Sequence, residues 1–272
     1  FIRNTDNLLI GRFMGSAALG FYSLGYAVFL TPINDIGVIV NRVMLSALSR
    51  LQDDSDRLKR AFLLATQYVT LMALPMLVGI ALVAVPFVET VFGPQWLPAA
   101  PVISILALAG FFQIMLTVGP SGLQAAGHPE LQLRWYILST LLYIPAFAIG
   151  LRWGIVGVAS GYLAATCVLT PIQFGFVARV TGVTFREMWE AIHPSVIGSA
   201  VMAVSVASVS WMLAAAEVPK IAMLVLLVLL GAVVYVGIVW VVRRQTLLDL
   251  VQILRQVVPV AAGGTLKKAG EG

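Results

Sequence analysis

Long runs without a charged side chain recur along this chain, at Phe13 to Asn34, Ala61 to Val88, Thr90 to Pro129, Trp153 to Ala178, Ala191 to Ala216 and Ile221 to Val242. Each reaches or exceeds the about 20 residues with which an α-helix crosses a bilayer. Charges collect in the short segments between them. The pattern predicts an all-α, polytopic transmembrane bundle, with room for roughly eight crossings at about 30 residues per span and loop. No separate soluble domain fits.

The expected first helix is short, from about Phe1 to Ile10, and leads through Gly11 to Gly20 into a second from about Phe21 to Ser46, bent by Pro32. Asp53, Asp54, Ser55 and Asp56 suit the positive N-terminus of a third helix, Arg57 to Phe92, which carries Pro75 and Pro86. A tight loop, Gly93 to Pro98, precedes a fourth helix to about Ala125, and Gly127, His128 and Pro129 break the chain before a fifth, Leu131 to Leu151. The turn at Gly150, Arg152 and Gly154 makes the fifth and sixth helices an antiparallel pair, and Gly157 and Gly161 stand at the spacing that lets helices approach closely. Ile192 to Ala214 and Ile221 to Val242 complete the set. Phe185, Met188, Trp189 and Ile192 fall on one helical face, as do Leu247, Leu250, Val251 and Leu254, so both segments are expected to lie along the membrane surface. Gly263 to Gly272 reads as a disordered basic tail.

Composition agrees with this pattern. Of 272 residues, 60% are hydrophobic and 11% charged, against about 45–50% and about 25% in soluble domains. Cytoplasmic loops hold the excess of Lys and Arg. If Arg50, Arg57, Lys59 and Arg60 are inside, alternation puts Arg134, Arg179, Arg186, Arg243, Arg244, Arg255, Lys267 and Lys268 there too, and leaves only Arg12, Arg152 and Lys220 outside. The C-terminus is then cytoplasmic, and the net charge of +5 calls for no nucleic acid. The lone Cys167 offers neither a disulfide framework nor a metal cluster, and no cofactor motif is present. A start at Phe1 without a secretory signal suggests the C-terminal part of something longer.

Ionisable groups inside a bilayer are costly, about 2.5–3.5 kcal/mol at a helix centre, so their placement is informative. On the second helix Asp35, Arg42, Ser46 and Ser49 fall within an arc of about 60°, and Asn34 and Asn41 form a second row beside them. The stripe suits a wet cavity; alternatively, Arg42 and Ser49 snorkel to the inner interface. On the first helix Arg3 is spaced to pair with Asp6 or Asn7, either as a lock between helices or as a cavity group. Glu89 reads as an interfacial residue in preference to a proton site. His128 and His193 have no second metal ligand at suitable spacing.

The run Asn4, Thr5, Asp6, Asn7, Leu8, Leu9, Ile10, Gly11, followed by Gly15, Leu19, Gly20, Tyr22 and Ser23, resembles the seventh and eighth helices of bacterial polysaccharide flippases. Leu48 to Asp54 after Arg42, and Gly93, Pro94, Gln95, Trp96 and Pro98, resemble the loops that follow. These are O-antigen and exopolysaccharide exporters, of the colanic-acid-exporter type, in the multidrug/oligosaccharidyl-lipid/polysaccharide superfamily. The resemblance implies the second lobe of a fourteen-helix, two-lobed transporter in the bacterial inner membrane, with residues 1–180 as helices seven to twelve, 181–242 as two additional helices and 243–272 as a cytoplasmic segment and tail.

It also implies an activity: undecaprenyl-diphosphate-linked oligosaccharide moves between leaflets by alternating access, with no bond made or broken. The basic, cavity-facing positions of the family fall on Arg3 and Arg42, with Asp6 and Asn7 beside them. Expected partners are the lipid-linked oligosaccharide, membrane lipids, an N-terminal lobe, a polysaccharide polymerase and export machinery. The competing readings are a cation-coupled antiporter of small amphiphiles using Asp6, Asp35 or Glu89; a membrane glycosyltransferase, for which the outer loops are too short; and an inert lobe without its partner.

Overall fold

The computed structural model describes residues 2–48, 55–114, 129–214 and 219–242, apart from the side chains of 2–4, 35–48, 55, 58, 129 and 214. The acidic pair Asp53 and Asp54, Ser49, His128, the end of the fourth helix, the amphipathic segment at Leu247 to Leu254 and the basic tail lie outside them. The described chain forms α1 (Ile2–Met14), α2 (Ser16–Leu48), α3 (Ser55–Val91), a 3-10 turn (Pro94–Ala99), α4 (Ala100–Ile114), α5 (Pro129–Gly150), α6 (Gly154–Thr181), α7 (Phe185–Ala214) and α8 (Lys220–Val242). Among the described residues six segments are long and apolar enough to cross a membrane, and one of them, Glu130–Thr181, takes in α6 and all but the first residue of α5.

The sequence-based helices recur with two differences. The first two helices run closer together than expected, separated by Gly15 alone. Its φ of 88° makes the break in a conformation that other residues rarely adopt. The second difference is that Phe185 to Ile192 is no separate surface helix but the beginning of α7. Part of its apolar face turns onto protein, with Met188, Ala191 and Ile192 buried in the main core, while Phe185 and Trp189 stay exposed. Thr184 and Glu187 start that helix with a reciprocal capping box: Thr184 Oγ1 accepts the Glu187 N–H at 3.3 Å and Glu187 Oε2 accepts the Thr184 N–H at 2.9 Å. Pro194 stands inside α7 and withdraws the helical donor of the Glu190 carbonyl. His193 Nδ1 lies 3.0 Å from that carbonyl and can resatisfy it, so the helix continues.

Among the described residues three apolar clusters hold the bundle, the smallest joining α3 and α4 through Ala84, Val88, Ala100 and Ile103, and two bear on the site. The larger joins α1 to α6 and the first turns of α7 through Ile10, Tyr22, Phe29, Phe62, Leu77, Leu106, Phe147 and Val158. The smaller seats α7 and α8 on α3 through Leu71, Val83, Met202, Val206, Leu227, Tyr235 and Val239. α3 is therefore the wall common to both. Ion pairs tie it at each end: Lys59 meets Glu187 of α7 at 2.7 Å, and Glu89 meets Lys220 of α8. Glu89 is thus an end-of-helix tether, in line with its interfacial reading.

α5 and α6 pack as the expected antiparallel pair about the 3-10 turn Leu151–Trp153. A Cβ at Gly161 would lie 2.6 Å from the Ala146 carbonyl oxygen of α5, closer than real Cβ atoms come. Gly161→Val should therefore separate the pair and destabilise the bundle by about 1–3 kcal/mol, as overpacked cores do. A lowered unfolding temperature of the detergent-purified protein would register it, and an unchanged one would contradict this packing.

Candidate functional site

The opening motif folds into a buried polar junction. Asp6 is 2% exposed, and its Oδ2 accepts the Tyr22 hydroxyl of α2 at 2.9 Å while Oδ1 accepts the Asn7 N–H at 2.8 Å. Carboxylate and phenol come together because the single-residue break at Gly15 folds α2 back onto α1. Asn7 is half-buried beside them. Tyr22 begins an aromatic series: Tyr26 at 6.1 Å, then Phe29 and Tyr162, and from Tyr162 to Tyr143 and Phe147 of α5 at 5.2 and 6.2 Å. The phenols have polar partners within the membrane region: Tyr162 donates to Gln113 Oε1 at 2.8 Å, and the Tyr143 and Thr166 hydroxyls share a bond of 3.0 Å. Sequence spacing did not find this network, because its members lie 16 to 49 residues apart.

The remaining candidate residues sit on the two polar helices. Asn34 is exposed on α2, two residues past Pro32. Asp35, Asn41 and Arg42 continue along the same unbroken helix, so its register keeps Asp35, Arg42 and Ser46 on one face. Arg3 lies one turn before Asp6 on α1. The side chains of Arg3, Asp35, Asn41 and Arg42 are outside the described ones, and the carboxylate of Asp6 has Tyr22 as its observed cross-helix partner.

A cavity of about 960 Å³ opens between α2, α3, α7 and α8, at the upper end of the roughly 300–1,000 Å³ typical of ligand pockets. Pro32, Met76, Ile80, Met202 and Val228 are among its walls, and Thr31 and Tyr235 bring the lining's side-chain hydroxyls. Both hydroxyls are committed to backbone carbonyls: Thr31 donates to Ala27 at 2.9 Å and Tyr235 to Leu71 at 2.7 Å. The groove therefore presents hydrocarbon to an occupant. Among the described residues, no group of three or more His, Cys, Asp or Glu is placed to hold a metal ion.

Residues 1–101 match the family model described as polysaccharide biosynthesis protein. The chain is 34% identical over 140 residues to the teichuronic acid biosynthesis protein TuaB of Bacillus subtilis, covering 52% of this chain and 29% of TuaB. It is 29% identical over 186 residues to the lipopolysaccharide biosynthesis protein WzxC of Escherichia coli, 68% of this chain and 38% of WzxC. It is 24% identical over 257 residues to the succinoglycan biosynthesis transport protein ExoT of Rhizobium meliloti, 94% of this chain and 52% of ExoT. The chain thus spans about half or less of the length of these relatives. In fold it is similar to the lipid II flippase MurJ in its inward closed conformation, with a TM-score of 0.67 at 15% identity, over 85% of this chain and 48% of MurJ. The fold is thus that of about half of MurJ.

Because Asp6 is buried, removing its phenolic donor should cost about 1–3 kcal/mol, the penalty for stranding a buried acceptor. Tyr22→Phe is therefore expected to lower the unfolding temperature measurably, whereas Tyr26→Phe on the next turn should lower it less. Equal melting of Tyr22→Phe and the parent protein would show that the Asp6–Tyr22 bond carries no stability.

Proposed function

We propose that this chain is the second lobe of a flippase that carries an undecaprenyl-diphosphate-linked oligosaccharide from the cytoplasmic to the periplasmic leaflet of the bacterial inner membrane. The observation that carries the reading is the succession of surfaces: an apolar groove with its hydroxyls already spent, and farther along the same face of α2 a polar stripe, in a chain whose relatives serve polysaccharide biosynthesis. A lipid-linked sugar has two such parts. The groove takes a length of the polyprenyl chain. Arg3 and Arg42 meet the diphosphate, for which charge-assisted hydrogen bonds are the strong choice, and Asn7, Asn34 and Asn41 serve the sugar with Asp6 and Asp35 beside them. Translocation makes and breaks no bond, so the lobe needs no catalytic group.

In this reading residues 1–180 form the transport lobe, 181–242 its two additional helices and 243–272 a cytoplasmic segment. The positive loops face the cytoplasm, as does the C-terminus. An N-terminal lobe completes the cavity, and polymerase and export machinery act on the product.

Complementation tests this directly. In a strain deleted for the gene, the wild-type gene should restore surface polysaccharide, whereas Arg42→Ala or Arg3→Ala should lower it about tenfold, the loss of one charge-assisted bond to phosphate, at equal protein abundance. Lipid-linked repeat units should accumulate on the cytoplasmic side. Unaffected export would remove these arginines from the mechanism, and a deletion that changes only sensitivity to toxic cations would favour a cation-coupled antiporter.

A further inference from the structure

Pro75 sits in the middle of α3 and has no N–H to give the Leu71 carbonyl, four residues earlier. In a bilayer no water replaces that donor. The replacement comes from another helix: the Tyr235 hydroxyl of α8 donates to Leu71 O at 2.7 Å, 164 residues away in sequence. Tyr235 is 6% exposed, and its ring rests on α7 where Gly198 leaves it room, since a Cβ there would lie 3.0 Å from Cε2. Pro75 and Tyr235 both line the groove.

We propose that Tyr235 is a positioning residue for the lipid chain of the cargo. By capping the carbonyl that Pro75 strands, it fixes α8 against the bend of α3 and so sets the shape of the groove between them. The Glu89–Lys220 pair holds the same two helices at their other point of attachment, near the ends of α3 and α8. Tyr235 holds them at depth, where the chain lies. This role rests on the flippase reading only for the identity of the chain; the bond and the groove are independent of it.

The test uses the purified full-length protein, both lobes together, in phospholipid vesicles with two synthetic diphosphate-linked sugars, one on an undecaprenyl and one on a geranyl chain. Binding is read by photolabelling and translocation by protection of the sugar from an external oxidant. Tyr235→Phe should weaken binding of the undecaprenyl compound about fivefold, one hydrogen bond's worth, and leave the geranyl compound and the maximal rate unchanged. Adding Pro75→Ala returns an N–H to the Leu71 carbonyl but not the link to α8, so it should not restore long-chain binding. Equal loss for both chains, no loss, a wild type that does not bind the long chain, or full rescue by Pro75→Ala overturns the proposal. A wild type that binds with this dependence but moves neither compound refutes the flippase reading and leaves the positioning role standing.

Discussion

A backbone carbonyl without a donor is the dominant liability of a helix in a bilayer, because no water can reach it. This chain creates that liability repeatedly, with prolines inside α2, α3, α5, α6 and α7. Two repairs are visible and they differ in reach. At Pro194 the repair is local, from the neighbouring His193, and α7 runs on as one helix. At Pro75 it comes from Tyr235 on α8, so the repair of one helix becomes the attachment of another. The bond joins the apolar core and the Glu89–Lys220 pair in holding α3, α7 and α8 together.

From this junction the division of the molecule follows. α3 shares one side with the large core of α1 to α6 and the other with the small core of α7 and α8, and charges at both ends keep it in place. The groove is what remains where α2 and α8 stand apart over α3. Its walls are apolar because their hydroxyls are already spent on backbone carbonyls, a state that suits a hydrocarbon chain and excludes a sugar. The polar positions lie elsewhere on α1 and α2. On α1, the buried Asp6 is accommodated by the hydroxyl of Tyr22 from the next helix.

The eight helices of the described residues, their order and the close α5–α6 pair were legible in the sequence, since apolar run length, loop charge and the spacing of Gly157 and Gly161 are local signals. The amphipathic start of α7 was legible as a helix but not as a buried one: Met188 and Ile192 would look the same facing lipid headgroups or protein. The partner of Asp6 was hidden for a related reason. Arg3 was the neighbour at helical spacing, whereas Tyr22 became one only when the chain reversed at Gly15. A hint was present at Tyr235, one of few polar side chains in the apolar run of α8.

The sequence by itself determined that this is a helical membrane protein and where its spans and polar stripes lie, because desolvating charges and backbone in a bilayer permits almost no other reading. Only the tertiary structure decided which polar groups meet and where an apolar cavity remains. Contacts between Asp6 and Tyr22, Glu89 and Lys220, or Tyr235 and Leu71 depend on how helices pack across 16, 131 and 164 residues, a distance over which periodicity carries no information.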